Sequence, residues 1–213
     1  MPHESPLNDL AIEAREVDAA SAPHLAAPGS GPIDKAILRT QLLALRRALG
    51  ADAARDRALA QRVAQLLAQR TPRCVGFYWP IAGEFDLRAL IAEWLATHAD
   101  AQAALPVVEH AAAPLLFHAW HDAMPMREGR HRIPVPLHAQ PVQPDLLLIP
   151  CVGFDTRRVR LGYGGGYYDR TLATLAPRPY TAGIAFEATR LASLPREAHD
   201  VPLDTILSEA ARY

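Results

Sequence analysis

Residues Asp145 to Pro150 read DLLLIP, and a polar stretch then leads into Arg160–Arg170, RLGYGGGYYDR. No other feature constrains the fold as much. A short continuous apolar run is the mark of a strand buried on both faces, as in a parallel sheet covered by helices. In the second segment, Gly162, Gly164, Gly165 and Gly166 leave backbone N–H groups unobstructed and tolerate positive φ. A helix expected from Tyr167 to about Leu175 would turn its electropositive N-terminus to the same place. Strand, loop, glycine turn and helix is the order that seats ligands at the carboxyl end of an α/β sheet. A polyphosphate is the expected guest. Glycines alone would be as well explained by a plain loop, and the spacing fits neither the Walker loop nor the dinucleotide fingerprint.

The rest of the chain supports that architecture. Leu38, Leu42, Leu45 and Leu49 recur at helical spacing, with Asp34 placed to cap the start and Gly50 to end it. A second helix is expected around Ala53 to Gln69. Strands and a helix then alternate: Arg73–Trp79, helix Asp86–Thr97, Ala104–Val108, Leu115–Trp120, Asp145–Pro150, Thr181–Phe186 and an edge at Thr205–Leu207. This predicts a single three-layer α/β domain with a mainly parallel, Rossmann-like sheet flanked by helices. Residues 133–144 are rich in proline and read as a long surface connection framing a cleft. Residues 1–32 hold five acidic residues, one arginine and the string APGSGP, so they read as a flexible N-terminal extension, with the folded domain over 33–213.

Composition excludes several classes. A formal charge of −1 argues against a general nucleic-acid binder. No apolar run approaches the ~20 residues of a membrane helix, and the N-terminus lacks the basic patch and apolar core of a secretory signal. Cys74 and Cys151 each adjoin an apolar run, which suits buried free thiols in a reducing cytoplasm. His118 and His121 fall on opposite faces of a strand, and no G-x-S-x-G elbow is present, so neither a metal site of histidines nor a hydrolase triad is expected.

The charged residues leave alternatives open. Lys35 is the single lysine, the other 21 of the 22 basic residues being arginine. It falls in a first helical turn, where the dipole disfavours a cation unless an anion is near, and Arg39 shares its face. A solvated pair beside Asp34 would explain both equally well. Asp169 suits Mg²⁺ or simply the start of a helix. Trp79 ends an expected strand, where tryptophan is usually core, and Glu84 alone would be taken as solvated.

DLLLIPCVGFDTRRVRLGYGGGYYDR resembles the signature of the 5-formyltetrahydrofolate cyclo-ligase family, also called 5,10-methenyltetrahydrofolate synthetases. The match comprises the strand ending at Pro150, Gly153-Phe154-Asp155, Arg160-Leu161-Gly162 and Gly166 to Arg170. Weaker similarity runs over residues 33 to 210. The resemblance implies that Lys35 and Arg39 hold ATP phosphates together with Arg160, Leu161, Gly162, Tyr163, Gly164, Gly165, Gly166, Tyr167 and Tyr168. Lys35 and Arg160 would be the catalytic cations. It implies Mg²⁺ on Asp169 and on a second aspartate matched to Asp204. Folate would meet Trp79 and Glu84, with Tyr163, Tyr167 and Trp120 extending the wall. Val135 stands where many members have glutamate, and Tyr163 and Gly165 stand where some animal members have basic residues.

The implied reaction is the ATP-dependent conversion of 5-formyltetrahydrofolate to 5,10-methenyltetrahydrofolate by a cytoplasmic monomer that acts on small molecules. The alternative is a module that binds nucleotide and folate without turnover. Another ATP-dependent enzyme on the same scaffold is a third reading.

Overall fold

The computed structural model describes residues 34–197 and 200–213, so the expected extension over 1–32 lies outside the described residues. Helix α1 spans Lys35–Ala48 and α2 Ala53–Arg70. Asp34 accepts from the N–H of Ala36 at 2.7 Å, and Asp52 caps α2 in the same way. Strand β1 is Cys74–Gly76, α3 is Arg88–Thr97, β2 is Gln102–Val107 and β3 is Leu116–Trp120. Then come β4 (Met126–Glu128), β5 (Pro134–Pro136), β6 (Leu146–Pro150), β7 (Gly153–Asp155) and β8 (Arg160–Leu161). Helix α4 is Tyr167–Thr174, followed by β9 (Tyr180–Ile184), β10 (Arg190–Leu191) and β11 (Thr205–Leu207).

Six strands form the main sheet in the order β11-β9-β6-β1-β2-β3. All neighbours are parallel except β2 and β3. The apolar run in β6 shows why this sheet is covered on both faces. Leu146 and Leu148 pack with α2 and α3 through Leu59, Val63 and Ile91. Leu147 and Ile149 point the other way, into a cluster with Leu172 of α4 and Phe154. Helix α1 covers a smaller sheet, β10-β7-β8, burying Leu42 against Val152, Val159 and Leu161.

Three expectations need correction. Strand β1 ends at Gly76, not Trp79, although the Phe77 N–H still donates to Ala104 at 2.9 Å. Helix α3 begins at Arg88 because the Asp86 carboxylate accepts its N–H at 3.0 Å just ahead of the first turn. The proline-rich connection is not featureless: β5 pairs with β4 as a two-stranded ribbon. Pro134 and Pro136 are compatible with a strand that is paired on one side only. Its tip carries His131 and Arg132 with φ of 59° and 58°.

Candidate active site

Strand β1 leads to β2 and β3 on one side, and the chain then returns to place β6 on β1's other flank. The carboxyl ends of β1 and β6 therefore flank a topological switch point, where open α/β sheets form a crevice. A cavity of about 790 Å³ opens there. Tyr78, Trp79, Ile81 and Glu84 line it from the segment after β1, Pro150 from the end of β6, and residues 160–169 from the glycine loop.

The loop is shaped by its glycines and held by arginines. Gly164 has φ +95° and Gly166 has φ +62°, conformations that side chains disfavour. The Arg39 Nε donates to the Gly162 carbonyl at 2.8 Å, and Arg170 holds the Gly165 carbonyl. Gly166 is the N-cap of α4 and supplies no side-chain acceptor. The first-turn N–H groups, unpaired within any helix, thus stay uncapped by a side chain at the cavity wall. A Cβ on Gly162 would meet nothing within 4 Å, so the fold itself does not exclude a side chain there.

Around this loop the charges are paired across the sequence. Arg160, with its side chain 6% exposed, donates to Asp169 Oδ1 at 2.7 Å and to the Val201 carbonyl at 3.1 Å. Lys35 Nζ lies 2.8 Å from Glu197 Oε1 and 2.9 Å from Asp200 Oδ2. Burial opposes the ammonium's charge, yet these two carboxylates hold its pKa above the ordinary lysine value. On the opposite wall, Glu84 is buried and accepts the Ile81 N–H at 2.9 Å and the Tyr163 hydroxyl at 2.7 Å. Burial raises its carboxyl above the usual range despite those donors. Burial likewise pushes the Tyr163 and Tyr168 phenols up, so both remain neutral donors.

A cationic loop and an acidic, aromatic wall in one crevice at a switch point suit a phosphorylated ligand beside a flat, N–H-rich one. Residues 33–209 match the model of the 5-formyltetrahydrofolate cyclo-ligase family. The chain belongs to that family. A cyclo-ligase of Haemophilus influenzae is 33% identical over 160 residues, covering 71% of this chain and 84% of the relative. Among solved structures, 5,10-methenyltetrahydrofolate synthetase of Aquifex aeolicus superposes with a TM-score of 0.71 at 29% identity, covering 84% of this chain and 91% of its own. That of Mycoplasma pneumoniae gives 0.66 at 25% identity, covering 83% and 99%.

As a cyclo-ligase, the chain gathers most of its sequence-predicted residues in one place. Lys35, Arg39, Trp79, Glu84, Arg160, Leu161 and every residue from Gly162 to Asp169 line the cavity. Two do not. Trp120 is buried in the core with its ring edge-on to Phe77 at 5.0 Å, in the cluster that includes residues of α2 and α3. Asp204 sits near the amino end of β9, where Oδ2 accepts the Thr181 N–H at 2.8 Å and its hydroxyl at 2.7 Å. That carboxylate ties two strands together. The acidic residues that reach the cavity from this segment are Asp200, four positions earlier, and Glu197.

Sequence reasoning also passed over Glu197, Arg130, His131 and Arg46. Arg46 was legible: a helix turns about 100° per residue, so positions 35, 39 and 46 fall on one face. Glu197, Arg130 and His131 reach the cavity rim from irregular segments, where no periodicity signals the direction of a side chain.

Proposed function

We propose that this cyclo-ligase uses ATP to convert 5-formyltetrahydrofolate to 5,10-methenyltetrahydrofolate, releasing ADP and phosphate. The carrying observation is that Lys35, Arg39, Arg160 and the glycine loop share one continuous cavity with Trp79 and Glu84. Two small molecules placed there would meet end to end. The activity belongs to one domain over 33–213, acting as a cytoplasmic monomer on small molecules.

The formamide oxygen attacks the γ-phosphorus of ATP, and ADP leaves. The formyl carbon, now joined to a phosphate leaving group, is attacked by N10 of the same folate. The C–O bond breaks, phosphate departs with the N10 proton, and the methenyl bridge closes. No protein nucleophile takes part, so the chain's contribution is alignment and charge. Lys35 and Arg160 neutralise the charge spreading over the transferring phosphoryl group. Arg39 acts through the loop, fixing the Gly162 carbonyl so that neighbouring N–H groups stay available to phosphate. Trp79, Tyr163 and Tyr167 provide aromatic faces for the pterin, and Glu84 accepts its amino and ring N–H groups.

The donor set also suits Mg²⁺. The ion needs one or two carboxylates beside phosphate oxygens and water, and Asp169 and Asp200 both line the cavity. The Val201 N–H approaches Asp169 Oδ1 at 3.5 Å, which brings the two aspartates into one neighbourhood. Asp169 and Asp200 would hold the metal. Bound there, it would neutralise phosphate charge.

Full-length protein with ATP, Mg²⁺ and 5-formyltetrahydrofolate is expected to generate the methenyl chromophore and one ADP per turnover. A flat absorbance trace overturns the reading. Tight binding of both ligands without ADP release would instead select the non-catalytic module.

A further inference from the structure

Under the acidic wall lies a cation that the proposed reaction leaves without a role. Arg46, near the end of α1, has its side chain only 3% exposed. Its Nε donates to the Ala82 carbonyl at 3.0 Å and its Nη1 to the Cys151 carbonyl at 3.4 Å. Its Nη2 donates to the Tyr163 hydroxyl and stands 4.0 Å from Glu84 Oε1. One guanidinium thus holds the turn after β1, the end of β6 and the glycine loop together.

Packing alone does not call for this. Arg46 lies among the leucines of α1, and an apolar side chain would cover that face without desolvating a charge. What arginine adds is a planar guanidinium whose Nε and Nη1 are anchored on the Ala82 and Cys151 carbonyls, so that Nη2 is held against the Tyr163 hydroxyl and beside the Glu84 carboxylate of the cavity. The Glu84 carboxylate completes the picture: Oε2 is fixed by the Ile81 N–H, while Oε1 accepts the Tyr163 hydroxyl and lies beside Arg46.

We infer that Arg46 is a positioning residue for the folate half of the site, holding the Glu84 carboxylate and the Tyr163 hydroxyl in the arrangement that receives pterin N–H groups. This rests on the reading that Glu84 meets the pterin. The groups that face Glu84 come from every side: Arg46 from α1, Tyr78 after β1, Cys151 after β6, Tyr163 from the glycine loop and Tyr168 from α4. Arg46 is the one permanent charge in that set. Burial raises both the tyrosine phenols and the Cys151 thiol, the latter to about 12. Without Arg46, burial would push the Glu84 carboxyl higher still.

Kinetics with each substrate varied in turn test this. Arg46→Met is expected to raise the KM for 5-formyltetrahydrofolate about ten-fold, the scale of one charge-assisted hydrogen bond, and to leave the KM for ATP within about two-fold. Between about pH 5 and 9, the acidic rise in the folate KM should begin at higher pH in the variant. Arg46→Lys should recover part of the loss. Parallel increases for both substrates, or an unmoved folate KM and pH profile, overturn the proposal. Arg46→Gln repeats the test if the methionine variant does not fold. If neither neutral variant folds, Arg46 is a structural residue and the proposal falls. Inactive wild type would sink the cyclo-ligase reaction itself, whereas active wild type without the KM split sinks only the role of Arg46.

Discussion

Lys35 Nζ lies 2.9 Å from Asp200 Oδ2, joining the first residue of α1 to a position 165 residues later in the chain. Glu197 approaches the same ammonium at 2.8 Å. The chain's single lysine therefore stands at the cavity wall between two carboxylates. A triphosphate entering there would meet a cation to bind and acids to repel it, and those carboxylates are the kind of ligand that Mg²⁺ would take from the protein.

Lys35→Met should separate catalysis from stability. Ion pairs with partial exposure contribute about 0–1 kcal/mol, and Glu197 is half exposed. The melting temperature should fall by no more than roughly 4 °C. Loss of a charged contact to the reacting phosphate should lower kcat/KM for ATP by about ten-fold or more. Equal damage to both quantities would show Lys35 to be a structural cation.

Two aspartates four residues apart should fail in opposite ways. Asp204→Ala removes the acceptor of the Thr181 N–H and hydroxyl, so about 1–3 kcal/mol of stability should go. Its half-saturating Mg²⁺ concentration should match that of the wild type. Asp200→Asn should raise that concentration about ten-fold, a change worth ~1.4 kcal/mol, while the fold is retained. A Mg²⁺ titration of both variants beside thermal melts decides between them, and a Mg²⁺ defect in Asp204→Ala would restore Asp204 to the metal site.

That pair shows how far the sequence could be read. The order of elements was plain because β6 is a continuous apolar run and α1 carries a strong helical periodicity, and the glycine loop announced itself through residue types that few other structures need. Asp200 and Asp204 lie in an irregular segment, where nothing in the spacing says which carboxylate faces inward. Only tertiary contacts, Thr181 for one and Lys35 for the other, separate them. Trp120 misled for a related reason: a strand's alternation gives two faces, and only tertiary packing tells that Trp120 joins the cluster around Phe77. Strands of two or three residues such as β8 and β5 fall below the length at which alternation can be read at all.

Gly162 and Gly166 should respond differently to a methyl group. At Gly166 an alanine must adopt φ +62°, and its Cβ would come within 2.7 Å of Arg170 Nη1. The conformation alone costs about 1–2 kcal/mol. At Gly162 the φ is ordinary for any residue and no atom lies within 4 Å of the added Cβ. Gly162→Ala should therefore melt within about 2 °C of the wild type yet raise the KM for ATP. Unchanged ATP kinetics in Gly162→Ala would mean that phosphate does not approach this part of the loop.

Stability at acid pH should depend on Glu187, away from the cavity. Burial pushes its carboxyl up, but the hydroxyls of Ser208 and Tyr213, at 2.6 Å and 2.8 Å, and the Arg190 guanidinium outweigh it and hold the pKa below the ordinary 4.5. A carboxyl that ionises more readily folded than unfolded binds fewer protons in the native state, so stability rises with pH through that window. Its contribution is complete above 4.5 and disappears as pH falls through the lower folded value. Glu187→Gln should lower stability by about 1–2 kcal/mol near neutrality, measured by urea unfolding. The difference from wild type should shrink as the pH drops below the ordinary carboxyl value, because the protonated wild-type carboxyl then resembles the amide. A gap that stays constant across that range would show that the charge of Glu187 contributes nothing to holding the C-terminal residues.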